Sequence, residues 1–138
     1  MIEPTPTKPL AGARFLLAED EGAIALHYET IIAEAGGEAI VTATVAGGLE
    51  GLRSGRIRAA LIDVELRGES SFALANALIL AGTPFAFVSG HYRRDELVGP
   101  YAKVPFIDKP AAPKEIVAVL ARLIGRAEPP PASPPATG

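Results

Sequence analysis

Ala59-Ala60-Leu61-Ile62-Asp63 is a run of four apolar residues closed by a carboxylate. Such an unbroken run fits a strand covered on both faces, because a strand with one wet face would alternate polar and apolar residues. The same pattern recurs along the chain. Phe15-Leu16-Leu17-Ala18 runs into Glu19-Asp20, Pro84-Phe85-Ala86-Phe87-Val88 into Ser89, and Val104-Pro105-Phe106-Ile107 into Asp108-Lys109. A further strand is expected over Glu38–Thr44, where β-branched residues concentrate.

Between these runs the apolar spacing turns helical. Gly22 to Ala35 carries it up to Gly36-Gly37, Ala46 to Ser54 up to Gly55, and Ser71 to Ala81 up to Gly82; Pro113 to Arg126 forms a last amphipathic helix. From His91 to Lys103 only a brief helix fits, because Gly99-Pro100 interrupts it. Five strands alternating with five helices predict an α/β fold: a five-stranded parallel sheet, doubly wound with right-handed crossovers, in strand order 2-1-3-4-5, with a short or irregular fourth helix.

The 138 residues, 49% hydrophobic, suit one domain. Its expected limits are residues 14–126. A flexible N-terminal segment, 1–13, holds three prolines, and residues 127–138 form a Pro-rich disordered tail whose composition cannot bury a core. With no cysteine, disulfides, thiolate metal sites and thiol nucleophiles are excluded. The chain lacks an apolar run of the roughly 18–20 residues that span a bilayer, and its start lacks the pattern of a leader, so a cytoplasmic, membrane-free protein is expected. A net charge of −3, from 13 basic and 16 acidic residues, disfavours nucleic acid as a partner. Arg53, Arg56 and Arg58, like Arg93 and Arg94, are short groups that fit a solvated surface.

The chemistry lies where the strands end. In open α/β sheets, ligands bind at the carboxyl ends of the strands near the switch point in strand order. That order makes the first and third strands neighbours, about 4.8 Å apart, and so brings Asp20 towards Asp63. Carboxylates this close repel unless a cation intervenes, and a hard divalent ion, Mg2+ with Mn2+ as substitute, matches an oxygen-only set. Ser89 adds a hydroxyl donor and Lys109 an ammonium that can reach back towards Asp63. Cation and lysine together would neutralise a transferring phosphoryl group, with Asp63 as nucleophile. Any one of these polar residues could end a strand merely because strand ends meet water. Four such endings together, each directly after an apolar strand, point to a site.

At these residues the sequence resembles the receiver domain of two-component response regulators, from about Arg14 to Arg126. The resemblance implies a CheY-like, flavodoxin-like fold in which Glu19, Asp20, Asp63 and the carbonyl of Glu65 hold the metal. Asp63 is then the phosphoacceptor, Ser89 and Lys109 its catalytic partners, and the Lys109–Pro110 bond is typically cis. It further implies that Ser89 moves inward on phosphorylation and that Phe106, three residues before the lysine, turns into the space vacated. Pro84-Phe85-Ala86-Phe87-Val88-Ser89-Gly90-His91 is similar to the motif of FATGUY receivers, often single-domain regulators, which suggests a stress response. Serine stands here for the more usual threonine, and Phe106 lacks the hydroxyl of the more usual tyrosine.

The resulting expectation is a single-domain response regulator of a phosphorelay, an autocatalysed phosphoacceptor rather than a turnover enzyme. Its expected partners are a sensor histidine kinase or histidine phosphotransfer protein and a downstream protein target, with a homodimer as a further possibility. Glu65 and His91 are expected to flank the path of water to a phosphoaspartate, whereas His27 fits the surface of the first helix. The rival readings are a pseudo-receiver that binds partners without phosphorylation and a small phosphatase on the same edge.

Overall fold

A computed structural model of the chain describes residues 8–126. Its strands are β1 (Arg14–Ala18), β2 (Glu38–Thr42), β3 (Ala59–Asp63), β4 (Glu65–Leu66), β5 (Glu69–Ser70), β6 (Phe85–Ser89) and β7 (Phe106–Asp108). Five of them form a parallel sheet in the order β2-β1-β3-β6-β7, which is 2-1-3-4-5 when the sheet strands alone are counted. Four α-helices accompany it: α1 (Gly22–Glu34), α2 (Val45–Ser54), α3 (Phe72–Ala81) and α4 (Pro113–Leu123). None of these helices is long and apolar enough to cross a membrane.

Every residue of β3 and β6 is buried, which is why their apolar runs are unbroken. Successive side chains enter opposite cores. Phe15, Leu17, Leu61 and Val88 pack with Tyr28 and Ile32 of α1 and Ile116 and Leu120 of α4. Leu16, Ile62 and Phe87 pack with Val45 of α2 and Leu74 and Leu78 of α3. Each fully buried Leu, Ile or Phe contributes about 1.5–3 kcal/mol of transfer free energy. The central strands, buried on both faces, therefore anchor the edge where the polar residues emerge.

Helix α2 holds three glycines, each costing about 1 kcal/mol of helix propensity relative to alanine. Close packing explains all three, and at Gly47 a Cβ would collide with Thr42 Oγ1. A Cβ at Gly48 would lie 2.6 Å from Leu74 Cδ2, and one at Gly51 would lie 3.1 Å from Leu16 Cδ1, so small residues let α2 approach α3 and β1. Thr44 starts the helix, its side chain accepting from the Gly47 N–H at 2.9 Å.

The short, irregular fourth helix that the sequence predicts is two 3-10 turns, Arg94–Glu96 and Gly99–Tyr101, which leaves four α-helices among the described residues. Gly99, at φ 64°, and the missing N–H of Pro100 prevent a longer helix. The β4–β5 hairpin was not expected; its turn, Arg67-Gly68, has φ of 53° and 77°, and arginine is an uncommon residue in that left-handed region. The last helix ends at Leu123, not Arg126, because Gly125 at φ 80° forms a Schellman turn closed by Arg126 N–H to Ala121 O at 2.7 Å.

A further difference is at the N-terminal boundary. Leu10 is wholly buried in the α1/α4 core and its N–H donates to Ala35 O at 2.8 Å, so residues 10–13 belong with the packed fold rather than with a flexible segment. Residues 1–7 and the Pro-rich tail at 127–138 lie outside the described residues.

Candidate functional site

Parallel pairing sends β1, β3, β6 and β7 to one edge. The register sets Ala18 beside Ile62, Asp63 beside Val88 and Ser89 beside Asp108, so Glu19, Asp20, Asp63, Ser89 and Lys109 leave neighbouring strands together. The Glu19 N–H still bonds Thr42 O at 2.9 Å, extending the ladder one residue past β1. Glu19 and Asp63 are consequently buried, at 1% and 6% exposure, while Asp20 is half-buried. One carboxylate oxygen from each lies within 4.8 Å of the others.

Lys109 reaches back over this cluster. Its Nζ lies 2.7 Å from Asp63 Oδ2 and 2.8 Å from Glu19 Oε1. Burial pushes the Glu19 carboxyl above its ordinary range, against the pull of Lys109 and of the Glu21 N–H, which donates to Oε2 at 3.0 Å. For Lys109, burial works against the charge, but the hydrogen bonds and charges of Asp63 and Glu19 outweigh it and raise the pKa above its usual value. The lysine is therefore a fixed cation at neutral pH.

Three carboxylates face one ammonium, so the cluster is short of positive charge. Glu19 Oε1 is fully buried, and its close partner is the Lys109 ammonium, which it shares with Asp63 Oδ2. Three carboxylates with oxygens this close, sharing one ammonium, form an oxygen-only donor set that fits a hard divalent cation such as Mg2+. Glu65, two residues past Asp63, lines the same cleft and donates its N–H to Asp63 Oδ1 at 3.3 Å.

Ser89 is 2% exposed, and its Oγ accepts from the N–H groups of both His91 and Tyr92 at 3.1 Å. The hydroxyl keeps its own proton for donation. The peptide bond between Lys109 and Pro110 is cis. Phe106 is half-buried against the α2/α3 core, where Tyr101 stacks on Phe72 at 4.5 Å and donates to Asn76 Oδ1 at 2.5 Å. The cleft over the cluster measures about 480 Å³ and is also lined by His27, Tyr28 and His91. His27 is exposed on α1.

Three contributors have no counterpart in the sequence reading. Ser71, taken only as the start of a helix, is wholly buried and donates its hydroxyl to the Asp63 carbonyl at 2.6 Å. The Arg67 backbone N–H donates to Asp20 Oδ2 at 2.7 Å. Tyr28 closes the cleft floor from α1, its phenol raised in pKa by burial. Ser71 was detectable in principle as a serine between the acidic strand end and an apolar helix. A main-chain amide leaves no signal in residue identity.

The sheet order, the helices on both faces and the position of the acidic edge define a receiver-type α/β fold. No protein-family model matches the chain, and no curated protein matches it in sequence. Solved structures do. The receiver domain of the Francisella response regulator 1452 matches with a TM-score of 0.72 at 18% identity, over 83% of this chain and 98% of that one. The CheY-like receiver domain protein from Methanospirillum hungatei JF-1 gives 0.73 at 23%, over 81% and 93%. The response regulator PhyR from Brucella abortus gives 0.71 at 23%, over 86% of this chain but 50% of its own length. The fold is that of CheY-like response-regulator receiver domains.

Proposed function

We propose that the chain is a response-regulator receiver that accepts a phosphoryl group on Asp63 and signals by protein contact. The observation that carries this reading is the convergence of Lys109 on Asp63 and Glu19 beside a third carboxylate, Asp20, at the edge of a receiver-type sheet. Glu19, Asp20, Asp63 and the Glu65 carbonyl would hold Mg2+, with Mn2+ as substitute. The ion supplies charge neutralisation for the phosphoryl oxygens.

The chain's own residues do the rest. An Asp63 carboxylate oxygen forms a bond to phosphorus as the P–N bond of a phosphohistidine donor breaks, and the electron pair returns to the imidazole, which takes a proton from solvent. Lys109, held cationic, stabilises charge on the transferred group. Ser89 donates its hydroxyl to a phosphoryl oxygen. That motion alters its two bonds to the His91 and Tyr92 amides and so reaches the 90–105 segment and, directly after it, Phe106, the proposed moving aromatic. The donor is a sensor histidine kinase or a histidine phosphotransfer protein, the recipient a downstream protein, and the setting a cytoplasmic stress response.

Glu65 and His91 border the cleft through which water reaches Asp63 and tune the lifetime of the phosphoaspartate. Unchanged dephosphorylation half-lives in Glu65→Ala and His91→Ala would remove that role. Beryllofluoride, a stand-in for the phosphoryl group, tests the site as a whole. Mg2+-dependent shifts of the Ser89 and Lys109 amide resonances, absent in Asp63→Asn, are expected. Equal silence in both proteins would favour a pseudo-receiver that binds partners without phosphorylation.

A further inference from the structure

The β4–β5 hairpin lies between the two halves of the acidic cluster. At its start, the Glu65 N–H faces Asp63 Oδ1; at its end, Ser71 donates its hydroxyl to Asp63 O at 2.6 Å and its N–H to Val64 O at 2.8 Å. Leu66, 1% exposed, anchors it in the α2/α3 core. Its tip reaches the other strand. The Arg67 N–H donates to Asp20 Oδ2 at 2.7 Å, and this is the one hydrogen bond recorded for the Asp20 side chain among the described residues.

The geometry points to the Arg67-Gly68 turn as a positioning device for Asp20, holding one carboxylate oxygen so that the other faces Glu19 and Asp63. The inference rests on the metal-assisted acceptor reading of the site. Its physical basis is that partners which orient a metal-ligating carboxylate fix its rotamer before the ion arrives, and losing one typically costs about 10–100-fold in affinity. Arg67 acts here through its main chain. The turn delivers that amide only with φ positive at both residues, 53° and 77°, which makes Gly68 the position that controls it.

Gly68 is also a clean place to intervene. A Cβ built there meets nothing within 4 Å, so a substitution acts on backbone conformation and not by collision. Valine strongly disfavours a φ of 77°, whereas asparagine tolerates the left-handed region. Gly68→Val should open the turn and Gly68→Asn should keep it.

The test combines two readouts on the full chain. Amide hydrogen exchange of Arg67 is compared between the unsubstituted protein and Asp20→Ala, without metal. Mg2+ affinity is titrated in the unsubstituted protein, Gly68→Val and Gly68→Asn. Arg67 protection that disappears in Asp20→Ala, with Mg2+ bound about tenfold more weakly by Gly68→Val and restored in Gly68→Asn, supports the positioning role. Arg67 exchange that is equally fast with and without the Asp20 carboxylate overturns it, as does an unchanged affinity in Gly68→Val. A protein that binds no Mg2+ yet keeps Asp20-dependent Arg67 protection overturns the metal reading instead, and with it the proposed purpose of the turn.

Discussion

The Lys109 ammonium lies 2.7 Å from the Asp63 carboxylate, and its side chain is only 13% exposed. It joins the last strand of the sheet to the middle one and offsets buried charge that nothing else on those strands neutralises.

Lys109→Ala should therefore leave Glu19 and Asp63 buried without a counter-charge. Removing one partner of a buried pair costs roughly 3–5 kcal/mol. Urea unfolding in a chelator is expected to show a loss of that order, and saturating Mg2+ to recover part of it. A loss below about 0.5 kcal/mol, the range of ordinary surface substitutions, would contradict the account.

Glu19 sets a pH dependence whose sign follows from its raised pKa, caused first by burial. The folded state holds this proton more tightly than the unfolded chain does. Its contribution to stability is thus complete below the unfolded value of 4.5 and is lost as pH climbs through the folded value. Denaturation in a chelator should show stability falling across that window, and Glu19→Gln should flatten the slope. Added Mg2+, which binds the ionised carboxylate, should oppose the fall. Identical slopes for the two proteins in chelator would show that Glu19 does not carry the effect.

Ser71→Ala removes the donor to the Asp63 carbonyl at a wholly buried position. An acceptor left without its partner costs about 1–3 kcal/mol. Equilibrium unfolding measures this directly, and a change within about 0.5 kcal/mol would mean that water replaces the hydroxyl.

Leu10→Ala separates a packed N-terminal residue from a flexible one. A leucine wholly buried in the α1/α4 core should cost about 2–5 kcal/mol on truncation. A flexible segment would show almost no change in the urea midpoint.

The sheet and the members of the site were legible because both leave marks in residue identity. Runs such as Ala59–Ile62 can be unbroken only when both faces are covered; the carboxylates of Glu19 and Asp63 follow directly on such runs, and the amine of Lys109 follows one residue later. What escaped was carried by the backbone or masked by composition. The hairpin turn uses Arg67 where Asn or Asp would have signalled it, and the Asp20 partner is an amide. Leu10 sits among prolines, which obscured a core residue. In the 90–105 segment, Gly99-Pro100 announced the break, but two separate 3-10 turns with Tyr101 stacked on Phe72 depend on contacts distant in sequence.

The central claim is that Asp63 accepts a phosphoryl group, and intact-mass measurement after incubation with Mg2+ and a small phosphodonor tests it most directly. The account predicts one added phosphoryl group in the unsubstituted protein, abolished by a chelator and absent in Asp63→Asn. No added mass in the unsubstituted protein, equal labelling of Asp63→Asn, or continuous phosphate release without a labelled species would contradict it.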